Sequence, residues 1–456
     1  MLKKLCWIPL LFIGLLAGCK KDWLDLKPDK NQAAPVTLAD LEAMMDNNSV
    51  MNVFYPVRGE IASDGHSSNE ANWSHYLEPE RTAYIWTYTG PHRNVRDWNF
   101  PYQSIFYCNL VLEGLAKIQP ADSAAQRQWN RLKGDALFQR AMLFYSLAQV
   151  CAPPYNAATA ATDLSIPLRL QSNINQRSTR STVKETYERI AQDLLQSIDL
   201  LPATPAYKTR GSKPAAYAFL ARFYLSMADY SNALRYAQIC LQLNDGLLDF
   251  NQLDTLASFP LGLFNKEVLF HSCLTYNPML DASGGLMIDS ALYHLYDTND
   301  LRKKLFFKTS NQQRLTFRGM YSNSNATLFC GPATDEVLLI RAECYARQDS
   351  VAAAMSDVNR LRQSRWKNTV AYPALTAATA TEALTLVLQE RKKELLLRGL
   401  RWTDIRRLSK DPRFAVTLQR SALGQTYSLP PNSPRYALPI PDDVLEFSGM
   451  PQNPGW

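Results

Sequence analysis

Two stretches of the chain repeat one internal spacing. Tyr224 precedes Ala233 by nine residues, and Tyr345 precedes Ala354 by the same nine. Around both pairs, apolar residues recur at three- and four-residue steps, so each stretch reads as two amphipathic helices joined by a short turn. In the first, Tyr217, Leu220, Ala221, Tyr224, Ala233 and Cys240 alternate large and small side chains. The small ones let paired helices approach, and the large ones fill the groove to the next pair. Ala342 takes the place of Ala221 in the second copy. Arg140, Ala141 and Phe144 open a third copy, whose partner helix at Thr182 to Leu201 follows an insertion. A unit of this kind buries its apolar face only against another like it, so the chain is constrained to stack them.

The spacing fits the tetratricopeptide pattern, and the expected fold class is mainly α: a tetratricopeptide-like helical repeat scaffold carrying long irregular inserts. Helices are expected at Tyr102 to Ala116, Ala124 to Val150, Thr182 to Leu201, Lys213 to Met227, Asn232 to Leu243, Asp335 to Arg347, Val351 to Arg362 and Thr381 to Leu397. Thr37 to Asp40 opens an earlier apolar pattern. This places helical repeats at about 102–246 and 335–410 within a single body, 37–456. Residues 52–100 and 247–333 are rich in Gly and Pro and read as loop-rich inserts, the first with short extended pieces. Residues 411–456 carry Pro430, Pro431, Pro434, Pro439, Pro441, Pro451 and Pro454 and read as an ordered wrap. Long irregular inserts on a helical frame are where binding concentrates.

With 456 residues, 46% hydrophobic and 20% charged, and a mean hydropathy of −0.25, the chain is neither disordered nor a multi-span membrane protein. Its net charge of +7 is spread along the sequence, which argues against a nucleic-acid partner. Lys3 and Lys4 precede an apolar run from Leu5 to Leu16 that is too short to span a bilayer and ends in Leu16-Ala17-Gly18-Cys19. That is a lipoprotein signal peptide over 1–18, with Cys19 as the acylated residue and 19–36 as the lipidated tether. Of the eight cysteines, Cys6 leaves with the signal and Cys19 takes lipid. Cys108, Cys151, Cys240, Cys273, Cys330 and Cys344 form no CxxC pair, and buried free thiols are expected in a body large enough to stand without disulfides.

No HExxH, GxSxG or GxxxxGK[ST] motif occurs, and only five histidines are present. No catalytic residue, cofactor or metal ligand set is expected. The excess lies in aromatic residues: residues 73–107 hold ten, where the 11% background predicts about four. Tyr84, Trp86 and Tyr88 alternate, so an extended backbone would place all three on one face. Aromatic faces pack on the C–H surfaces of sugar rings, and neighbouring polar groups bond hydroxyls. Trp73, Trp86, Tyr88 and Arg93 are therefore candidate ligand contacts, with Tyr276, Tyr293 and Tyr321 in the second insert. Trp98 and Tyr102 read as core.

Several segments together resemble one family. Gln389-Glu390-Arg391-Lys392-Lys393-Glu394-Leu395, followed by Arg398-Gly399-Leu400-Arg401-Trp402-Thr403-Asp404-Ile405-Arg406-Arg407, is similar to the ERRxEL…EGxRWxDxxR segment of the SusD/RagB-like outer-membrane nutrient-uptake lipoproteins of the Bacteroidetes. Glu336 to Glu343, Asp297 to Arg302, the Trp98, Tyr102, Ile105, Asn109 spacing, and the closing Pro439-Ile440-Pro441 with Gln452-Asn453-Pro454-Gly455-Trp456 support it. The resemblance implies a non-catalytic, lipid-anchored outer-membrane protein, exposed at the cell surface, that captures oligosaccharides and delivers them to a TonB-dependent, SusC-like transporter barrel. The charge run at 389–407 is expected to clamp the last helices onto the repeats. Two other readings are a tetratricopeptide-type assembly lipoprotein that grips a protein and no small ligand, and a hydrolase on a helical scaffold. Acylation is directly testable: labelled palmitate enters the wild type and not Cys19→Ala, and a Cys19→Ala protein that stays with the membranes contradicts it.

Overall fold

A computed structural model describes residues 37–310 and 313–456. The expected signal peptide, Cys19 and the expected tether lie outside them. The first helix, α1 (Leu38–Met45), opens on a capping box: Thr37 Oγ1 accepts from the Asp40 amide, and the Asp40 carboxylate accepts from the Thr37 amide. Short helices α2 (Asn48–Met51), α3 (Arg58–Ala62) and α4 (Glu78–Ile85) follow within the first insert and its approach. Then come α5 (Arg96–Leu115), α6 (Ser123–Cys151), α7 (Val183–Leu200), α8 (Lys213–Ser226) and α9 (Tyr230–Leu243). The second insert holds α10 (Ser290–His294) and α11 (Arg302–Leu305). The chain then continues through α12 (Thr334–Arg347), α13 (Val351–Arg365), α14 (Ala380–Glu394), α15 (Arg401–Leu408) and α16 (Asp442–Ser448).

Helices α6 and α7, α8 and α9, and α12 and α13 pack as pairs, and α9 packs on α12. The stack is thus continuous in space although the second insert interrupts it in sequence. Ala141, Ala221, Ala233, Ala342 and Ala354 are all fully buried at the close approaches. Tyr224 stacks on Tyr236 at 5.5 Å, and the small Cys240 fits its thiol against the Pro214 carbonyl at 3.3 Å. The fold is mainly α and tetratricopeptide-like. The six internal cysteines are free and buried.

Backbone pairing knits the two inserts together. Strand β1 (His66–Ser68), from the first, runs antiparallel to β2 (Leu286–Ile288), from the second, with His66 opposite Ile288. Nearby, the Cys273 amide donates to the Asn52 carbonyl at 2.7 Å and the Thr275 amide to the Tyr55 carbonyl at 2.8 Å. Hairpins β3 (Phe307–Thr309) with β4 (Leu315–Phe317) and β5 (Leu418–Ala422) with β6 (Gln425–Leu429) complete the extended structure.

The first insert is more helical than its composition predicts. Tyr84 lies in α4, and Trp86 follows in the left-handed region at φ 55°, so the expected extended face of Tyr84, Trp86 and Tyr88 does not form. At the other end of the chain, α14 stops at Glu394, short of the expected Leu397. Leu397 and Gly399 then turn the chain at φ 57° and φ 71°. A Cβ at Gly399 would press on Leu274 and Cys330 at 3.2–3.3 Å, so that turn needs glycine on both counts.

The charge run of residues 389–407 faces inward. Glu390 pairs with Arg302 and Arg362, Glu394 with Arg302 and Arg365, and Arg398 with Asp335, while Arg401 reaches Asp64 in the first insert. The proline-rich end returns across the N-terminal half. The Leu438 amide donates to the Val150 carbonyl at the end of α6. The Gln452 side chain makes two bonds to the Ile440 backbone, and Asn453 Nδ2 donates to the Cys151 and Leu438 carbonyls.

Leu at position 221 or 342 overpacks a fully buried close approach, at a cost of about 1–3 kcal/mol. Melting curves of Ala221→Leu and Ala342→Leu are expected to shift down accordingly, and an unchanged midpoint contradicts the helix pairing.

Candidate ligand-binding site

Where the inserts meet, a cleft of about 210 Å³ opens between the start of α4, the segment 91–97 that leads into α5, and residues 275–277. Its floor is polar and fixed. The Asp97 carboxylate accepts from the amides of Val57 and Arg58 at 2.9 and 2.6 Å, and Asn277 Nδ2 donates to Glu80 at 2.7 Å. Its mouth is apolar and open: Leu77 is exposed on one side, and Tyr276, 43% exposed, on the other. Tyr276 is held by a 3.3 Å hydrogen bond from its hydroxyl to Asp281; burial first, and then this carboxylate, push the phenol above its ordinary pKa. Arg93 lines the same cleft from the first insert. Two of the seven candidate ligand contacts, one from each insert, therefore share one cleft.

Arg93 and its neighbours are pinned from behind by α16. The Glu446 carboxylate takes both guanidinium ends of Arg93, which raises the Arg93 pKa. Asp442 accepts from the Tyr88 hydroxyl and the His92 amide at 3.0 and 2.7 Å, and Asp443 from the Asn94 amide at 3.0 Å. Tyr88 is 46% exposed, with its ring 5.1 Å from that of His92. It stands beside the cleft and does not line it.

The other candidates are placed differently. Trp86 is only 1% exposed: its indole N–H donates to the Ala62 carbonyl at 3.0 Å, and the Arg420 guanidinium covers its ring at 5.2 Å. Burial rules it out as an open stacking face. Tyr321 is likewise corrected, at 2% exposure, since its hydroxyl donates to the Glu267 carboxylate and Arg398 lies over its ring at 4.5 Å. Trp73 and Tyr293 are half-buried, make edge-to-face contacts with Tyr84 and Phe307 at 5.9 and 5.3 Å, and line no part of the cleft. Leu77, Asn94 and Asn277 line it without having stood out in the sequence, because isolated residues in loops carry no periodic signal.

Three buried carboxylates, from Glu267, Asp335 and Glu394, converge closely enough to suggest a cation site. Their charge is already met: Arg365 donates to Glu267 and Glu394 at 2.8 and 2.7 Å, and Arg398 to Asp335 at 3.1 Å. The cluster is an ion network that ties the second insert to α12 and α14.

A second, larger cleft of about 730 Å³ lies across α16 from the first, over the face of α5 that carries Trp98 and Tyr102. Trp98 is buried as expected, and the Tyr102 hydroxyl donates to the Pro167 carbonyl at 2.8 Å.

Burial separates the roles of the loop aromatics experimentally. Trp86→Ala is expected to cost about 3–5 kcal/mol of stability, whereas Tyr88→Ala, at the surface, costs under about 1 kcal/mol. Denaturant unfolding of the two variants checks this, and equal losses contradict it.

A family profile described as "Starch-binding associating with outer membrane" matches residues 22–225, and one described as "SusD family" matches residues 335–456. A SusD-like protein P2 from Formosa agariphila is 25% identical, over 79% of this chain and 80% of its own length. Among solved structures, a SusD superfamily protein from Bacteroides thetaiotaomicron superposes with a TM-score of 0.76 at 21% identity, covering 92% of this chain and all of that one. A SusD-like carbohydrate binding protein from Bacteroides vulgatus gives 0.66 at 18% identity, covering 90% and 96%. At these identities the two structures establish the fold. Among the described residues, no helix is long and apolar enough to cross a membrane.

Proposed function

Because the chain belongs to the SusD/RagB-like family, whose members bind carbohydrate without catalysis and associate with the outer membrane, we propose that it is a surface-exposed lipoprotein, anchored through Cys19, that captures an oligosaccharide and passes it to a TonB-dependent, SusC-like transporter barrel. The observation that carries the ligand site is the meeting of Tyr276 and Arg93, from separate inserts, in one open cleft. Tyr276 supplies the apolar face for a sugar ring. Arg93 and Asn94 supply donors for its hydroxyls, and Leu77 closes the opposite wall. Tyr88 and α16 hold the Arg93 loop in position, so the site is preorganised and little ordering cost falls on the ligand.

Hand-over to a barrel is supported by the family and by the form of the molecule. A rigid helical body on a short tether of residues 19–36 stays close to the membrane, within reach of an integral partner. Mild detergent extraction of outer membranes is expected to co-purify a large β-barrel with the lipoprotein, and its absence under conditions that keep the protein intact argues against delivery.

The site is tested by titration calorimetry against a panel of neutral oligosaccharides, paired with melting curves. Tyr276→Ala is expected to weaken whichever glycan binds by at least about tenfold while changing the melting midpoint little, because an exposed ring contributes little to the core. Undiminished affinity in the folded Tyr276→Ala protein removes this cleft from the binding function.

A further inference from the structure

The second cleft differs from the first in chemistry. Its floor is aromatic: the half-buried rings of Tyr102 and Phe106 line it, and the buried Trp98 backs Tyr102 at 5.1 Å between ring centroids. On the opposite lip stand Phe447, 88% exposed, and Ile174, 79% exposed. Two large apolar residues this open on one rim mark a contact surface, since isolated ones are ordinary but a pair across an aromatic floor is not. Around them the side-chain amides of Asn99, Gln103, Gln171 and Asn175 make no hydrogen bond within the described residues, and each retains donors and an acceptor for a ligand.

The charge lining the cleft is of one sign. Arg169 and Arg177 line it, and no Asp or Glu does. Neither guanidinium has a carboxylate partner among the described residues. Arg169 donates to the carbonyls of Asn173 and Gln176 and to Ser178 Oγ, and Arg177 Nε donates to the Ser448 carbonyl at 2.9 Å. Backbone oxygens thus fix both side chains without neutralising them. The acids of α16 face the other way, onto the loop 88–94, while Val444, Phe447 and Ser448 face this cleft. The 167–178 loop that carries both arginines is anchored from below: Asn109 Nδ2 donates to the Arg169 carbonyl at 2.9 Å, and Glu113 accepts from Ser172.

We propose that this cleft is a second oligosaccharide-binding site, selective for acidic sugars, in which pyranose rings lie on the open edges of Tyr102 and Phe106 and against Phe447 while a carboxylate or sulfate substituent pairs with Arg177 and Arg169. Guanidinium groups favour such planar or multidentate anions, and the pairing weakens as salt is raised. The inference rests on the glycan-binding reading of the protein but uses a different face of α16.

The test is titration calorimetry of the full-length lipoprotein in detergent. The probes are tetragalacturonate, its fully methyl-esterified form and a sulfated neocarratetraose, the first and third distinguishing carboxylate from sulfate as the preferred group. At least one acidic probe binds, the neutral ester binds at least about tenfold more weakly than the acid if carboxylate is preferred, and Arg177→Gln and Phe447→Ala each weaken the acidic probe by about tenfold or more. Tyr276→Ala leaves that affinity unchanged. Phe447 is so exposed that its truncation does not threaten folding. Failure of both acidic probes to bind overturns the proposal, as does binding that Phe447→Ala and Arg177→Gln leave intact. Loss of acidic binding in Tyr276→Ala alone moves the ligand to the first cleft and overturns the second site while the first stands. Conversely, if neutral glycans ignore Tyr276→Ala while the acidic probe follows Phe447 and Arg177, the first site fails and the second stands.

Discussion

Arg365 and Arg302 hold the molecule together at the point where its parts would otherwise separate. Both are fully buried. Arg365, on α13, bonds Glu267 of the second insert and Glu394 of α14, and its guanidinium lies 4.1 Å from the centre of the Phe250 ring. Arg302, in the second insert, bonds Asp300, Glu390 and Glu394. Burial alone would push the Glu390 carboxyl upward, but Arg302, Lys393 and Arg362 outweigh it and hold the group well below the usual carboxylate range. Deleting one member of such a network strands its partner's charge out of water, at a cost of about 3–5 kcal/mol. The second insert therefore cannot swing freely on the repeats, and Tyr276, which it carries, is held to a defined place opposite Arg93.

The same economy runs through the first insert. Arg420, on the C-terminal hairpin, donates to the carbonyls of Ile61, Ser63 and Tyr84 and lies 4.0 Å over the Tyr84 ring. The last carbonyls of the short helices α3 and α4, which have no partner within their helix, find a buried guanidinium instead. The loop-rich regions are thus held by long buried side chains as well as by the short β1–β2 ladder. That wiring suits a protein whose binding surfaces lie on its loops.

How far the sequence foretold this depends on the range of the deciding interactions. The repeat helices were legible because their apolar period is written locally, and Ala221, Ala342 and Ala354 fall where close packing needs them. Helix α4 was not, because Pro79 and the flanking glycines look like loop chemistry, although Pro suits a first helical turn. Trp86 and Tyr321 read as candidate platforms, but their burial is decided by Arg420 and by the Glu267–Arg398 cluster, which come from far along the chain. The charge run of 389–407 shows the same limit: seen alone it is a solvated face, and only the resemblance to a family signalled that it closes inward. Of the site, Arg93 and Tyr276 were legible as aromatic and basic residues in irregular inserts. Leu77, Asn94 and Asn277 acquire meaning only from the cleft they share.

The return of the C-terminal segment over the N-terminal half bears on how the chain reaches its folded state. Asn453 bonds the Cys151 carbonyl across 302 positions, Arg58 bonds the Pro439 carbonyl across 381, and Arg420 bonds the Ile61 carbonyl across 359. Helix pairs such as α8 and α9 close short loops and can form early, whereas these contacts close very long ones and carry the entropy of doing so. The order of assembly that follows is a fast, locally formed helical spine and a late closing step in which the final residues cap α6 and seat α16 between the two clefts. Until that step, the carbonyls at the end of α6 and the loop around Arg93 lack their partners. The larger cleft therefore acquires one of its walls, and the Arg93 loop of the smaller one its support, at the end of folding, from the last part of the chain to be made.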